Sequence, residues 1–296
     1  MNGILILNKP GGWTSFDVVA KVRRLTGVRR VGHTGTLDPM ATGVLVICLG
    51  QATRVSEYMV GYDKTYRATI DLGVETDTYD AQGEVTARSP VGVSEAALRE
   101  ALKTFTGDIR QIPPMFSAIK HEGKKLYNLA RKGVEVEREA RAVKIYSIEV
   151  IAFQSPILTI EVRCSSGTYI RSLAHDLGSS LGCGAHLSAL TRTAVGPFSL
   201  SQAATIETLE AVAASGTWTA LLLPTDVALE SFPAVTLSED EKTRARHGMS
   251  VTPATGTASR ASHTDLVRAY DPAGQMIGLM RYNRERDELR PEKIFN

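Results

Sequence analysis

The chain has 296 residues and only three cysteines, Cys48, Cys164 and Cys183. Their number and uneven spacing exclude a disulfide framework and a CxxC metal knuckle, and imply a reducing compartment, the cytoplasm. No charge of one sign dominates, since 34 Lys+Arg stand against 32 Asp+Glu, and an aromatic content of 6% with apolar residues spread throughout argues against extended disorder. Long hydrophobic runs are lacking too. No window reaches the ~18 uninterrupted apolar residues of a membrane span, and the N-terminal MNGILILNKP has no basic segment leading an apolar one, so neither membrane insertion nor secretion is expected. The six histidines are scattered without HxxxH spacing, and Glu75, Asp77 and Asp80 do not form a calcium-loop pattern, so no metal site is expected. The glycines spell neither GxGxxG nor GxxxxGKS/T, which leaves dinucleotide and P-loop nucleotide binding without support. No repeat and no low-complexity tract occurs.

What is present is the composition of a globular protein, 43% hydrophobic and 22% charged, with enough length for one large unit and a small one. The balance of charge is uneven along the chain. Residues 1–62 carry 7 Lys+Arg against 3 Asp+Glu, and residues 110–144 carry 9 against 4. Two basic stretches suit one positive face for a polyanion, although two solvated surfaces give the same count.

Ile4 to Leu7 reads as a buried strand stopped by Lys9-Pro10-Gly11-Gly12. A helix should follow, with Ser15 as N-cap, Phe16, Val19, Val22 and Leu25 as its apolar stripe, and Gly27 as its C-terminal glycine. Val31 to Gly43 reads as a glycine-rich loop leading into the strand-like Val44 to Ile47. Tyr66, Ala68, Ile70 and Leu72 alternate with polar residues, as do Leu158, Ile160, Val162 and Cys164, which predicts two half-buried strands. Helices are expected near 94–105, 126–132, 169–181 and 238–247. Strands and helices do not alternate regularly, so the fold class is α+β with a mixed, largely antiparallel sheet. Pro224 to Pro233 marks a boundary, beyond which one short helix and a hairpin, Leu266–Tyr270 with Gln275–Met280, suggest a small β-rich module over 233–296.

Within the glycine-rich loop, Pro39 biases Asp38 toward an extended conformation and so fixes a carboxylate. Such an aspartate either does chemistry or caps a backbone N–H. Thr168 can cap the helix that follows it, and Tyr169 continues the stripe of Leu173, Leu177 and Leu181. Arg171 lies out of phase with that stripe, in the first turn, where the helix dipole disfavours a cation unless an anion compensates. Tyr66 is on the apolar face of its strand. Gln111 to Lys132 is proline-marked and basic, with Phe116 and Tyr127 interleaved, a composition that suits gripping a nucleic-acid backbone.

These residues carry a resemblance. Leu7-Asn8-Lys9-Pro10, Gly32 to Gly43 with its GHTGTLDP core, Lys64-Thr65-Tyr66-Arg67, Gln111 to Ala118, Gly123 to Tyr127, Gly167 to Arg171 and Leu181 to Leu187 together resemble the TruB family of bacterial tRNA pseudouridine-55 synthases, over residues 1 to about 200. The resemblance implies a catalytic unit of pseudouridine synthase type over 1–230 and a PUA-like RNA-binding domain over 233–296. It also implies isomerisation of uridine 55 in the T-loop of tRNA, without a cofactor, by a cytoplasmic monomer that needs no protein partner. By carry-over, Asp38 is the nucleophile, attacking either the ribose C1′ or the base, and Arg171 is the arginine paired with it. Tyr66 stacks on the target base and serves the C5 proton step, while Tyr169 and Leu190 line the uracil pocket. His33 fills the space left by the extruded nucleotide, and Lys9 supports the floor. Lys124, Lys125, Arg131 and Lys132 are the candidates for the RNA backbone. A silent RNA-binding scaffold and a nucleoside hydrolase using the same aspartate are the other readings; the intact Asp38, Tyr66 and Arg171 set speaks against the first.

Overall fold

The structure, a computed structural model, describes residues 1–117, 119–121, 123–130, 132–252 and 265–295, with only the backbone described at 120, 121, 124, 125 and 127. The strands are β1 Gly3–Lys9, β2 Val31–His33, β3 Thr42–Leu49, β4 Lys64–Leu72, β5 Val74–Thr76, β6 Val85–Arg88, β7 Gly107–Gln111, β8 Lys120–His121, β9 Lys124–Lys125, β10 Arg141–Gln154, β11 Ile157–Cys164, β12 Ala185–Val195, β13 Phe198–Ser199, β14 Ala234–Thr236, β15 Leu266–Tyr270, β16 Met276–Asn283 and β17 Glu288–Ile294. The helices are α1 Ser15–Thr26, α2 Ser56–Val60, α3 Glu95–Thr104, α4 Leu126–Ala130, α5 Ile170–Ser180, α6 Ile206–Ala214 and α7 Glu239–Arg246.

A nine-stranded sheet runs in the order β1-β3-β12-β4-β11-β10-β7, with β2 added to β3 and β13 to β12. Along that path every pairing is antiparallel except β3 with β12, where Thr42 and Gly43 run parallel to Thr191 and Arg192. The fold is therefore the mixed, largely antiparallel α+β class. Which faces are covered explains the sequence patterns. In β1 and β3 both faces are buried: Ile4, Ile6, Val44 and Val46 enter one core cluster, and Leu5, Leu7, Leu45 and Ile47 the opposite one under α1 and α6. That is why these strands are continuous apolar runs. In β4 and β11 one face is covered, by Leu98 and Leu102 of α3 and by Leu173 and Leu177 of α5, so Tyr66, Ala68 and Ile70 alternate with open residues.

Some local expectations are corrected. The N-cap of α1 is Thr14 rather than Ser15: Thr14 Oγ1 accepts from the Asp17 amide, and the Asp17 carboxylate accepts from the Thr14 amide, a reciprocal capping box. Ser15 turns inward and exchanges two hydrogen bonds with the Leu37 backbone. With the helix so rotated, Val18, Val19 and Val22 form the buried stripe and Phe16 is 68% exposed. Gly27 does end α1, in the left-handed region. Thr168 does not cap α5, because its hydroxyl donates to Ser165 O. Tyr169 is the N-cap residue and makes no side-chain cap bond.

The four-stranded sheet β14-β15-β16-β17 is built from the last segment. Its β17 escaped the sequence reading because Pro291 argues against a strand; as the edge strand, β17 tolerates it. Leu279 of this sheet and Phe295, just past β17, share a core cluster with Ile4, Val44 and Phe198, so the sheet sits directly on the main one. Residues 224–233 are packed as well, with Ala228 and Leu229 buried in the same cluster.

Gly178, inside α5, tests the seating of that helix. Glycine in a helix interior costs about 1 kcal/mol relative to alanine, so propensity alone favours replacement. A Cβ there collides with the backbone of Gly184 and Ala185, which cannot swing away. Overpacking against fixed backbone costs about 1–3 kcal/mol and outweighs the gain. Gly178→Ala is expected to lower the urea midpoint; a higher midpoint shows that α5 can shift freely.

Candidate active site

The loop between β2 and β3 is held from three sides. Ser15 bonds the Leu37 backbone from α1. Lys9, fully buried at the end of β1, donates from Nζ to Pro10 O at 2.8 Å, Trp13 O at 2.6 Å and Pro39 O at 3.2 Å. From β12, Arg192 donates to Gly35 O at 3.0 Å, Thr36 O at 3.4 Å and Val44 O at 2.8 Å. Gly43 lets β3 lie against the Arg192 backbone: its φ is +102° and a Cβ would collide with that backbone. With Leu37 and Ala41 anchored in the core on either side, the side chain of Asp38 is left 37% exposed.

Arg171, on the first turn of α5, is buried and meets two carboxylates. Its Nε lies 3.0 Å from Asp38 Oδ2, and its Nη1 lies 3.4 Å from Asp80 Oδ2. Its remaining donors go to Thr78 O at 3.3 Å and Phe116 O at 2.8 Å. The anion that a first-turn cation requires is thus supplied twice. Asp80 is fixed in turn by the Thr78 hydroxyl at 2.7 Å and the Gln82 amide at 3.0 Å, on a turn where Tyr79 has a φ of 63°.

The structure brings Asp38, Arg171, Tyr66, Tyr169 and Leu190 together. Tyr66 and Leu190 are buried in the cluster that holds Leu37 and Ala41. Burial pushes the Tyr66 hydroxyl up, and the Arg192 charge, directly across the strand pair, opposes that rise. Burial also raises the Asp38 carboxyl above the ordinary 3.8, against the pull of the Arg171 guanidinium; the Asp80 charge adds to the rise. Tyr169 is half-buried, within electrostatic reach of both Arg171 and Asp38. Lys9, below the loop, is brought down to about 8 by burial, with Asp38 opposing. His33 ends β2, its Nδ1 buried without a partner among the described residues, and burial with the nearby Arg192 charge lowers its pKa.

Lys132 is exposed, Lys124 and Lys125 form the backbone of β9, their side chains lying outside the described atoms, and Arg131 lies outside the described residues. A cavity of about 320 Å³ opens beside the site rather than on Asp38, between the stacked Tyr79 and His175 rings and residues 133–135. Sequence reasoning missed Asp80 and Arg192. The uncompensated Arg171 was a signal for a partner carboxylate but did not say which. Arg192 gave no signal, since a strand position does not reveal that three carbonyls will surround it.

Residues 23–170 match the family model described as TruB family pseudouridylate synthase, N-terminal domain, and residues 171–230 match that of the tRNA pseudouridylate synthase B C-terminal domain. The chain belongs to the TruB family. It is an isomerase of the pseudouridine synthase class. It is 46% identical over 296 residues to a tRNA pseudouridine synthase B of Dehalococcoides mccartyi, covering all of this chain and 97% of the relative. A tRNA pseudouridine synthase B of Pseudomonas aeruginosa is 46% identical over 282 residues, 94% of this chain and 91% of the relative. Among solved structures, the archaeal box H/ACA Nop10–Cbf5 complex contains a chain similar to this TruB member at 26% identity and a TM-score of 0.74, across 99% of this chain and 86% of that one. A chain of an H/ACA ribonucleoprotein bound to a substrate RNA containing 2′-deoxyuridine gives 26% and 0.73, across 99% and 85%.

The raised Asp38 carboxyl has a stability consequence of definite sign. The folded protein holds this proton more tightly than the unfolded chain, so the group costs stability progressively as pH rises from 3.8 to the folded value, and the full cost persists above it. Asp38→Asn removes the charge while Arg171 keeps Asp80. The variant is expected to melt above the wild type at pH 7, with the gain vanishing below about pH 4. A lower melting temperature at pH 7 means that the Arg171 pairing outweighs the burial.

Proposed function

We propose that this chain converts uridine 55 in the T-loop of tRNA to pseudouridine, with Asp38 as nucleophile. One observation carries the reading: a partly exposed carboxylate, Asp38, is ion-paired at 3.0 Å with the buried Arg171, on a loop whose Leu37 and Ala41 share a core cluster with Tyr66 and Leu190. The names of the full-length relatives support a tRNA substrate.

The chemistry needs what these residues offer. An ionised carboxylate attacks the nucleotide, at C1′ or on the base, and the N-glycosidic bond breaks. The uracil turns, its C5 joins C1′, the Asp38 oxygen is released, and the C5 proton is lost while N1 gains one. Nothing is oxidised or reduced. Arg171 keeps Asp38 charged in a pocket from which the base expels water, and a guanidinium suits this because it does not deprotonate. Tyr66 stacks on the base and serves the C5 proton step, while Tyr169 and Leu190 form the walls. His33 occupies the gap that the flipped nucleotide leaves, and Lys9 holds the floor through three carbonyls. The basic lobe 110–144, with Lys124, Lys125, Arg131 and Lys132, grips the backbone of the T-arm. Residues 233–296 act as a PUA-like module that adds affinity for the tRNA body. The protein works as a cytoplasmic monomer, without cofactor or protein partner.

Asp38→Asn should abolish pseudouridine formation on a tRNA transcript, as read by pseudouridine-specific sequencing, while tRNA affinity stays within about tenfold because phosphate contacts dominate binding. Modification at more than a small fraction of the wild-type rate, or at a uridine other than 55, would falsify the reading. Neutralising Lys124 and Lys125 together should flatten the log–log dependence of tRNA affinity on salt by about one to two units. An unchanged slope makes them solvated surface.

A further inference from the structure

The Gln111 to Ser117 stretch stands at the root of the basic lobe, and its first residue is a polar side chain only 2% exposed. Gln111 ends β7, which among the described residues is an edge strand paired with β10 alone. Its carboxamide is spent on a single residue across the site: Nε2 donates to Tyr169 O at 2.9 Å, and Oε1 accepts from Tyr169 N at 2.7 Å. A planar carboxamide, with donor and acceptor side by side, can satisfy one residue's backbone twice in this way.

Two further ties follow the first. Ser172 Oγ donates to Ile112 O at 2.9 Å, and Arg171 Nη2 donates to Phe116 O at 2.8 Å. Residues 169, 171 and 172 of the α5 start are thus fastened to residues 111, 116 and 112. Tyr169 is the N-cap residue of α5, with φ −100° and ψ 108°, and it has no side-chain cap; Thr168, the residue that could have served, bonds Ser165 instead. The first turn of the helix is therefore set from outside, by Gln111. Pro113 and Pro114, between the tied residues 112 and 116, fix φ and keep that connection stiff.

We infer that Gln111 is a positioning residue for the reaction: its clamp on the Tyr169 backbone fixes the first turn of α5, so that Tyr169 and Arg171 face Asp38 in register. This rests on the reading of Asp38 as nucleophile. The same clamp makes the root of the RNA-gripping lobe part of the catalytic framework, because the residues that hold α5 are those from which the lobe departs.

The test uses the full chain and a tRNA transcript, with Gln111→Met, which keeps length and volume but cannot form the paired bonds, beside Gln111→Ala. A misplacement of about 1 Å costs on the order of 100-fold in rate. Single-turnover pseudouridine formation by Gln111→Met is expected to fall about 10- to 100-fold, close to the alanine variant, while the tRNA Kd stays within about twofold. Should the glutamine substitutions fail to fold, Ser172→Ala removes the neighbouring tie and should slow the same step about 3- to 10-fold at unchanged Kd. A wild-type rate in Gln111→Met, while Asp38→Asn is inactive, overturns the inference and leaves the nucleophile in place. Activity in Asp38→Asn overturns the nucleophile reading itself. A rate restored by methionine but not by alanine reduces Gln111 to a space-filling residue and equally overturns the inference.

Discussion

A buried guanidinium shared between two carboxylates is the constraint on which the site depends. Arg171 reaches Asp38, Asp80, Thr78 O and Phe116 O from one side chain, so three chain segments far apart in sequence converge on it. Removing one partner of a buried pair costs several kcal/mol because a charge is left uncompensated. With two carboxylates present, loss of either leaves the cation paired. The arrangement can therefore commit Asp38 to chemistry without making the seat of α5 depend on it alone.

The other buried cations are treated differently. Lys9 is held by the carbonyls of residues 10, 13 and 39, Lys64 by those of residues 60 and 62, and Arg192 by those of residues 35, 36 and 44. Among the described residues none of the three has a carboxylate within ion-pairing distance. Carbonyl dipoles satisfy their donors but do not neutralise their charge, so the cations work as brackets that hold backbone and impose a positive field. That field reaches His33 and Tyr66 from Arg192, and Asp38 from Lys9. Two of the brackets, Lys9 and Arg192, flank Gly43 where β3 and β12 run parallel, and there the loop carrying Asp38 enters beside a strand aligned with β3.

What the sequence disclosed follows the range of the interaction. The alternation from Tyr66 to Leu72 reports one covered face directly, and the run from Val44 to Leu49 reports two, because burial of a strand is written into its own residues. Asp38 before Pro39, and Arg171 in a first turn, were legible as local anomalies. Asp80 and Arg192 were not, since their roles depend on segments about 90 and 150 residues away that only the fold brings near. Thr14 and Thr168 show the same limit at short range: each is a sound cap by type, but the tie of Ser15 to Leu37 and the bond of Thr168 to Ser165 decide which is used. The C-terminal β17 was hidden by Pro291, which is tolerated because the strand lies at an edge.

Sharing Arg171 between Asp38 and Asp80 also bears on the chemistry proposed for the site. A carboxylate locked into a one-to-one pair with a guanidinium is held ionised but loses basicity to it. Here burial lifts Asp38 above the ordinary carboxyl value against the pull of Arg171, and the negative field of Asp80, which takes part of the same cation, adds to the rise. When a base fills the mouth and displaces water, the local dielectric falls and the attraction between Arg171 and Asp38 strengthens together with the burial penalty. The two changes oppose each other, so Asp38 can stay charged through the desolvation that the proposed attack requires while retaining the electron density that a nucleophile needs.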